Sequence, residues 1–362
     1  MAERQARDAD GGNAALPVLA RPRTLLEDFQ PPIWLKNRHL QSMLASVGMR
    51  RGPIVRRAAP LLAAQRELLL DCGDGVRLQC FRSSSTRHGE PVVVLHGWEG
   101  SADSLYVLSL GQQLFERGFD VLRLNLRDHG ETHHLNRGLF HSCRLAEVMG
   151  ALRMLQRLTG RPLRLVGFSL GGNFLLRAGA EARSAGLDLS RIVAVSPVLD
   201  PHETLLALED GFRGYSLYFA RKWWRSLKKK QAAWPQDYDF RDLQDTQDLR
   251  RLTAELIRRY TRFASLNEYL DGYSLTGRRL EALEVPSTLI TSLDDPIIPP
   301  TGLSRLARPS CLSIVVTRQG GHCGFLERLV GPTWAERLVV AELTLKASTG
   351  GESTETAAEE VA

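Results

Sequence analysis

One run of twelve residues constrains this chain more than any other: Leu163-Arg164-Leu165-Val166-Gly167-Phe168-Ser169-Leu170-Gly171-Gly172-Asn173-Phe174. It reads as a short apolar strand, Arg164–Phe168, that turns on Gly167-x-Ser169-x-Gly171 into an apolar-periodic helix over Leu170–Arg183. Such a turn forces the serine backbone into a strained conformation. Side chains in place of the two glycines would collide with the neighbouring strand and helix. The serine Oγ then stands at the strand tip above a helix N-terminus, which favours negative charge. With 31 glycines in 362 residues the pattern alone is weak. Its weight depends on whether a base, an acid and two backbone donors follow in the right order.

The surrounding chain alternates strand and helix. Glu67–Asp71 and Val76–Phe81 flank Gly73-Asp74-Gly75 as a hairpin, and Pro91–Leu95 is a buried strand. Ser104–Arg117 is helical, Phe119–Leu124 a strand, and Cys143–Leu158 a helix closed by Gly160. Further strands lie at Arg191–Ser196, Ser287–Thr291 and Leu312–Thr317, with a last helix at Thr333–Lys346. This pattern predicts an α/β fold with a mostly parallel central sheet flanked by helices.

The alternation breaks between about Asp200 and Ser274, where helical patterns occur without a convincing strand. The expected organisation is a flexible leader over 1–25, a core in two parts over 26–199 and 276–347, a helical cap over 200–275, and a disordered acidic tail over 348–362. Within the cap, Tyr215, Tyr218, Phe219, Trp223 and Leu227 form one apolar stripe, with Arg221, Arg225, Lys228 and Lys229 off it. The favoured reading packs the stripe on the domain, where it can line an apolar pocket. The other lays it on an anionic membrane surface, as a peripheral contact.

Ser169 requires a base to act as a nucleophile. On a strand–turn–helix of this kind the expected order is serine, acid, histidine. The strand Ser287–Thr291 runs into Ser292-Leu293-Asp294-Asp295-Pro296-Ile297-Ile298-Pro299, which offers two acids, Asp294 and Asp295, on a proline-fixed loop. After the next strand comes Gly320-Gly321-His322-Cys323-Gly324-Phe325, whose glycines let the backbone bring His322 close to the serine. His322 would take the Ser169 proton, and Asp295 would hold the imidazole's tautomer. Two backbone N–H groups would meet the oxyanion, one from Leu170 and one from Trp98 in the loop His96-Gly97-Trp98-Glu99-Gly100-Ser101.

Asp128-His129-Gly130-Glu131-Thr132-His133-His134 does not fit a metal motif, since Gly130 favours a loop and the run is not H-E-x-x-H. It reads instead as a turn at the pocket rim braced by Arg127 and Asp128. No metal or other cofactor is expected. A net charge of +6 with scattered arginines, and no nucleic-acid module, argues against a nucleic-acid partner. Five dispersed cysteines without a CxxC pair, an N-terminus without an apolar signal region and the lack of a long apolar run point to a reduced, cytoplasmic protein. No obligate protein partner is evident.

Taken together, these residues resemble an α/β-hydrolase of the YheT-like (AB hydrolase 4) branch from about Phe29 to Lys346. Pro31–Ser42 resembles that branch's N-terminal "N-x-H-L-Q-T" segment, with Ser42 in place of threonine. His96–Ser101 resembles its "HGLEGS", and the Ser169 elbow and the His322 loop resemble their counterparts. In such hydrolases the histidine of the first loop braces the turn, so His96 is given a structural role. The Asp295-Pro296-Ile297-Ile298-Pro299 spacing resembles their acid loop and favours Asp295 over Asp294. Arg127–Gly130 departs from the branch's "RGCSG"-like loop, which leaves substrate preference open. The resemblance implies a cofactor-free serine esterase acting on carboxylic esters, short- to medium-chain acyl esters or acyl lipids. An acyltransferase using the same Ser169–His322–Asp295 set is the alternative, and a non-catalytic lipid- or membrane-binding protein on the same fold is a second.

Overall fold

A computed structural model describes residues 24–46, 48–84, 89–243 and 246–345. The strands are β1 Thr24–Glu27, β2 Gln65–Asp71, β3 Arg77–Ser84, β4 Pro91–Leu95, β5 Asp120–Leu124, β6 Leu163–Phe168, β7 Leu189–Val195, β8 Ser287–Ser292 and β9 Leu312–Thr317. They form one sheet in the order β1-β9-β8-β7-β6-β4-β5-β3-β2. Every pairing from β1 through β9, β8, β7, β6 and β4 to β5 is parallel, whereas β3 runs antiparallel to both β5 and β2. The β2–β3 turn carries positive φ at Gly73, Asp74 and Gly75.

The helices are α1 Arg38–Ser46, α2 Arg51–Arg57, α3 Ala59–Ala63, α4 Leu105–Glu116, α5 Leu145–Thr159, α6 Leu170–Glu181, α7 Pro201–Asp210, α8 Arg213–Ala233, α9 Leu249–Tyr260, α10 Leu266–Gly272 and α11 Trp334–Thr344. The central strands are buried on both faces, as in a covered parallel sheet. Along β4, Val93 and Leu95 enter the core beneath α5 and α6, while Val92 and Val94 enter the one shared with α4 and α11. α5 stops at Gly160, whose φ of 64° supplies the left-handed cap. Among the described residues of 201–272 the chain forms α7 to α10 and no strand.

Two N-terminal features were not read from the sequence. β1 adds a parallel edge strand beside β9, so the expected leader boundary at residue 25 falls inside it. The short helices α1 to α3 follow it. Residues 1–23 of the leader and the whole of the expected tail lie outside the described residues.

β4 lies between β5 and β6, so the chain reverses its direction of travel across the sheet at β4. The loops leaving β4 and β6 feed helices on opposite faces, which opens a crevice at the carboxyl ends of the strands. The segments bearing Trp98, Ser169, Asp295 and His322 all follow carboxyl ends, those of β4, β6, β8 and β9.

One buried ion pair ties α8 to the rim of this crevice. Lys230 is fully buried, and its Nζ reaches Asp128 Oδ1 at 2.9 Å and the carbonyls of Asn136 and Gly138 at 2.5 and 3.0 Å. Replacing Lys230 with methionine leaves a buried carboxylate without its partner. We expect a loss of about 3–5 kcal/mol in the unfolding free energy from urea titration.

Candidate active site

The elbow is built as its glycines require. Ser169 sits at φ 51° and ψ −120°, a strained region for a residue with a side chain, and its N–H donates to Val195 O at 2.9 Å. A Cβ on Gly167 would lie 2.5 Å from the backbone of Gly171, and one on Gly171 would lie 2.4 Å from the His96 carbonyl. Neither position admits alanine without a backbone shift.

His322 follows Gly320 and Gly321, which have φ of 152° and 57°. Its Nε2 stands 3.0 Å from Ser169 Oγ and its Nδ1 2.8 Å from Asp295 Oδ2. When the imidazole is neutral, Nδ1 donates to this carboxylate oxygen and Nε2 is free to accept from the serine hydroxyl. Asp295 Oδ1 accepts the N–H groups of Ile297 and Ile298, both at 2.9 Å. These bonds follow from the Asp-Pro-Ile-Ile turn and aim the other oxygen at His322. Asp294 is engaged elsewhere, accepting Gly321 N–H at 2.9 Å. Burial pushes the Asp294 carboxyl above its ordinary value. Burial also disfavours the His322 imidazolium, but Asp295, with a contribution from Cys323, outweighs it and holds this histidine well above the ordinary value.

The N–H groups of Trp98 and Leu170 have no acceptor among the described residues, and both residues line the same cavity as Ser169 and His322. The loop carrying Trp98 is held from three sides. Tyr106 Oη accepts Gly97 N–H at 3.1 Å, and Lys222 Nζ of α8 donates to Glu99 O at 2.8 Å. The Trp98 indole stacks on Phe219 at 5.2 Å and meets Trp223 edge-on at 5.1 Å. His96 is fully buried and accepts Leu126 N–H on Nε2, which ties this loop to the one after β5.

The apolar stripe of α8 therefore faces inward. Tyr215 and Leu227 are buried, and Phe219 and Trp223 pack on Trp98. The face that would enter a lipid surface is occupied by the protein itself. Among the described residues no helix is long and apolar enough to cross a membrane. The histidines after β5 turn to separate partners, His129 Nδ1 to Arg127 O and His133 Nε2 to Ser226 Oγ. Arg127 makes a two-pronged pair with Glu147 at 3.0 and 2.6 Å.

Together these elements enclose a cavity of about 510 Å³ over Ser169. Leu205 and Leu208 of α7, Leu249 of α9 and Leu270 of α10 line it, beside Ile297 and Phe140.

Sequence reasoning gave no role to Gln41 and Ser42, which brace the histidine loop. Ser42 Oγ accepts His322 N–H at 2.8 Å and donates to Arg38 O at 2.7 Å. The fully buried Gln41 donates to the carbonyls of Leu35 and Leu326 and accepts Leu326 N–H. A Cβ on Gly321 would lie 2.5 Å from Arg38 O, so the loop and α1 pack backbone to backbone. The signal was present in the Asn37–Ser42 motif, yet nothing local shows that it meets residues nearly 300 positions away. A Ser42→Ala variant strips the His322 N–H of its partner, at a cost of about 1–3 kcal/mol. We expect kcat to fall about tenfold with KM little changed, read from initial rates on a p-nitrophenyl ester.

The chain belongs to the alpha/beta hydrolase fold family, whose sequence model matches residues 90–329. It is 28% identical to the Escherichia coli K12 protein named "Putative esterase YheT" over 307 residues, which is 83% of this chain and 87% of that one. It is 25% identical to an abhydrolase domain-containing protein of Dictyostelium discoideum, covering 87% of this chain and 80% of the other. Among solved structures, 2,6-dihydroxy-pseudo-oxynicotine hydrolase superposes with a TM-score of 0.52 at 18% identity, over 80% of this chain and 69% of that one. This last likeness is one of fold.

Proposed function

We propose that this protein is a serine hydrolase that cleaves carboxylic esters through an acyl-enzyme. The observation that carries the reading is the hydrogen-bonded chain from Ser169 Oγ through His322 to Asp295, at 3.0 and 2.8 Å, beneath a cavity lined in part by leucines. The similarity to an esterase-named relative supports the same chemistry.

Ser169 Oγ attacks the ester carbonyl carbon while His322 Nε2 takes its proton. The carbonyl oxygen becomes an oxyanion, which the N–H groups of Trp98 and Leu170 receive. As the intermediate collapses, His322 returns the proton to the leaving alkoxide and the alcohol departs. Water then attacks the acyl-serine, again giving a proton to His322, and the free acid leaves as Ser169 recovers its own. Asp295 holds the Nδ1–H tautomer throughout and stabilises the imidazolium. α7 to α10 act as the cap, and their leucines take the hydrocarbon part of the substrate.

The test is labelling with a fluorophosphonate, which phosphonylates an activated serine. Wild type should be labelled on the peptide containing Ser169, and Ser169→Ala should not be labelled. Equal labelling of the two would remove the nucleophile from this reading.

A further inference from the structure

We propose that the ester this cavity takes carries an anionic group, a carboxylate or a phosphate, received by the guanidinium groups of Arg51 and Arg225. The proposal rests on the hydrolase reading above and adds the chemical class of its substrate.

The argument is one of unbalanced charge. Four carboxyl residues line the cavity: Glu99, Asp103, Asp128 and Glu131. Three are already paired, Asp103 with Arg123 at 3.1 Å, Asp128 with Lys230 at 2.9 Å and Glu131 with Lys229 at 2.6 Å. The fourth, Glu99, is pushed by burial up to about 8 against the pull of Lys222, which disfavours its charged form. Four cations line the same cavity: Arg51, Lys222, Arg225 and Lys229. Lys229 is neutralised by Glu131. Lys222 donates to a backbone carbonyl, and neither it, Arg51 nor Arg225 has a carboxylate partner among the described residues. Burial holds the cavity histidines His129, His133 and His141 below their ordinary value, helped at His129 by His96 and at His133 and His141 by neighbouring cations. His322 is paired with Asp295.

Positive charge is thus left over in a concave wall whose low-dielectric surroundings focus its field. A neutral ester gains nothing from it. A carboxylate or phosphate matches the guanidinium fork and can accept two N–H bonds from each arginine. Arg51 and Arg225 are exposed, so they stand where the cavity opens to solvent. Leu205, Leu208, Leu249 and Leu270 add hydrocarbon surface to the same cavity. The occupant that satisfies both is an amphiphilic anion.

The experiment compares kcat/KM for matched esters with the full chain. One pair places the anion on the acyl side, the mono-p-nitrophenyl ester of pentanedioic acid against p-nitrophenyl butyrate. The second places it on the alcohol side, butyryl glycerol phosphate against butyryl glycerol. Wild type should prefer the anionic member of one pair by about tenfold or more, and the pair that shows it identifies which side carries the charge. Raising salt from about 20 to about 500 mM should erode the preference, because exposed charges are screened over this range. The Arg51→Gln, Arg225→Gln double variant should bring the ratio near one, and the corresponding double lysine variant should keep part of it. Matching thermal melts separate these effects from unfolding. Hydrolysis of the neutral esters with a ratio at or below one in both pairs, or a preference unchanged in the double glutamine variant, overturns the proposal alone. Failure to hydrolyse any ester, with no fluorophosphonate labelling, overturns the hydrolase reading and this one with it.

Discussion

Replacing Ser169 with alanine is expected to lower kcat for ester hydrolysis by roughly 10⁴–10⁶-fold while leaving the fold intact. The size follows from the role of the hydroxyl, because no acyl-enzyme can form without it and His322 is left with no proton to move. The residual rate would come from the oxyanion donors and from binding. Stability should change little or improve. The strain at Ser169 belongs to its backbone, at φ 51°, which alanine keeps, and its N–H bond to Val195 O is a backbone bond. Steady-state rates on p-nitrophenyl butyrate, with a thermal melt as control, check both parts. A variant retaining more than about a tenth of wild-type kcat would place the chemistry elsewhere.

Asp295→Asn should cost about 10⁴-fold in kcat, and Asp294→Asn far less. An amide can donate to His322 Nδ1, which drives the proton to Nε2, where it can no longer accept from Ser169. Asp294 meets the loop backbone at Gly321 N–H and the Ser292 hydroxyl, and asparagine keeps an acceptor there. The pH profile gives a second readout. His322 must be neutral to act as base, so kcat/KM in wild type should rise with pH through the His322 pKa. Since Asp295 holds that value above the ordinary histidine value of 6.5, the midpoint should also lie above 6.5. Removing the charge in Asp295→Asn should move the acid limb to lower pH. Equal losses in the two asparagine variants would contradict the geometry around His322.

The strand-to-helix turn at Ser169 was readable because everything that makes it is local. The two glycines, the apolar strand before them and the periodic helix after them lie within a few turns of chain. The same holds for Asp295-Pro296-Ile297-Ile298, whose turn aims a carboxylate through its own backbone N–H groups. β4 to β9 were legible because buried parallel strands carry apolar, largely β-branched and leucine-rich cores, as in Val92-Val93-Val94 and Ile314-Val315-Val316. β1 was missed because a four-residue edge strand carries little such pattern and owes its existence to the free side of β9. α1 to α3 were missed because they are short, and their order derives from packing against α4 and the histidine loop.

What the chain determined by itself is thus the α/β class, the serine-bearing turn, and a histidine and an acid in an order suited to it. These follow from hydrophobic period and from the few residues that tolerate unusual backbone, both encoded within short windows. Only the tertiary structure decided which of two adjacent aspartates faces His322, that Gln41 and Ser42 hold that loop, and that the aromatic face of α8 closes on Trp98 instead of facing outward. It also decided that Arg51 and Arg225, on α2 and α8, line one cavity without a carboxylate partner among the described residues. Each is a meeting of segments distant in the chain. Such meetings are set by how the buried faces close on one another, and no local pattern records them.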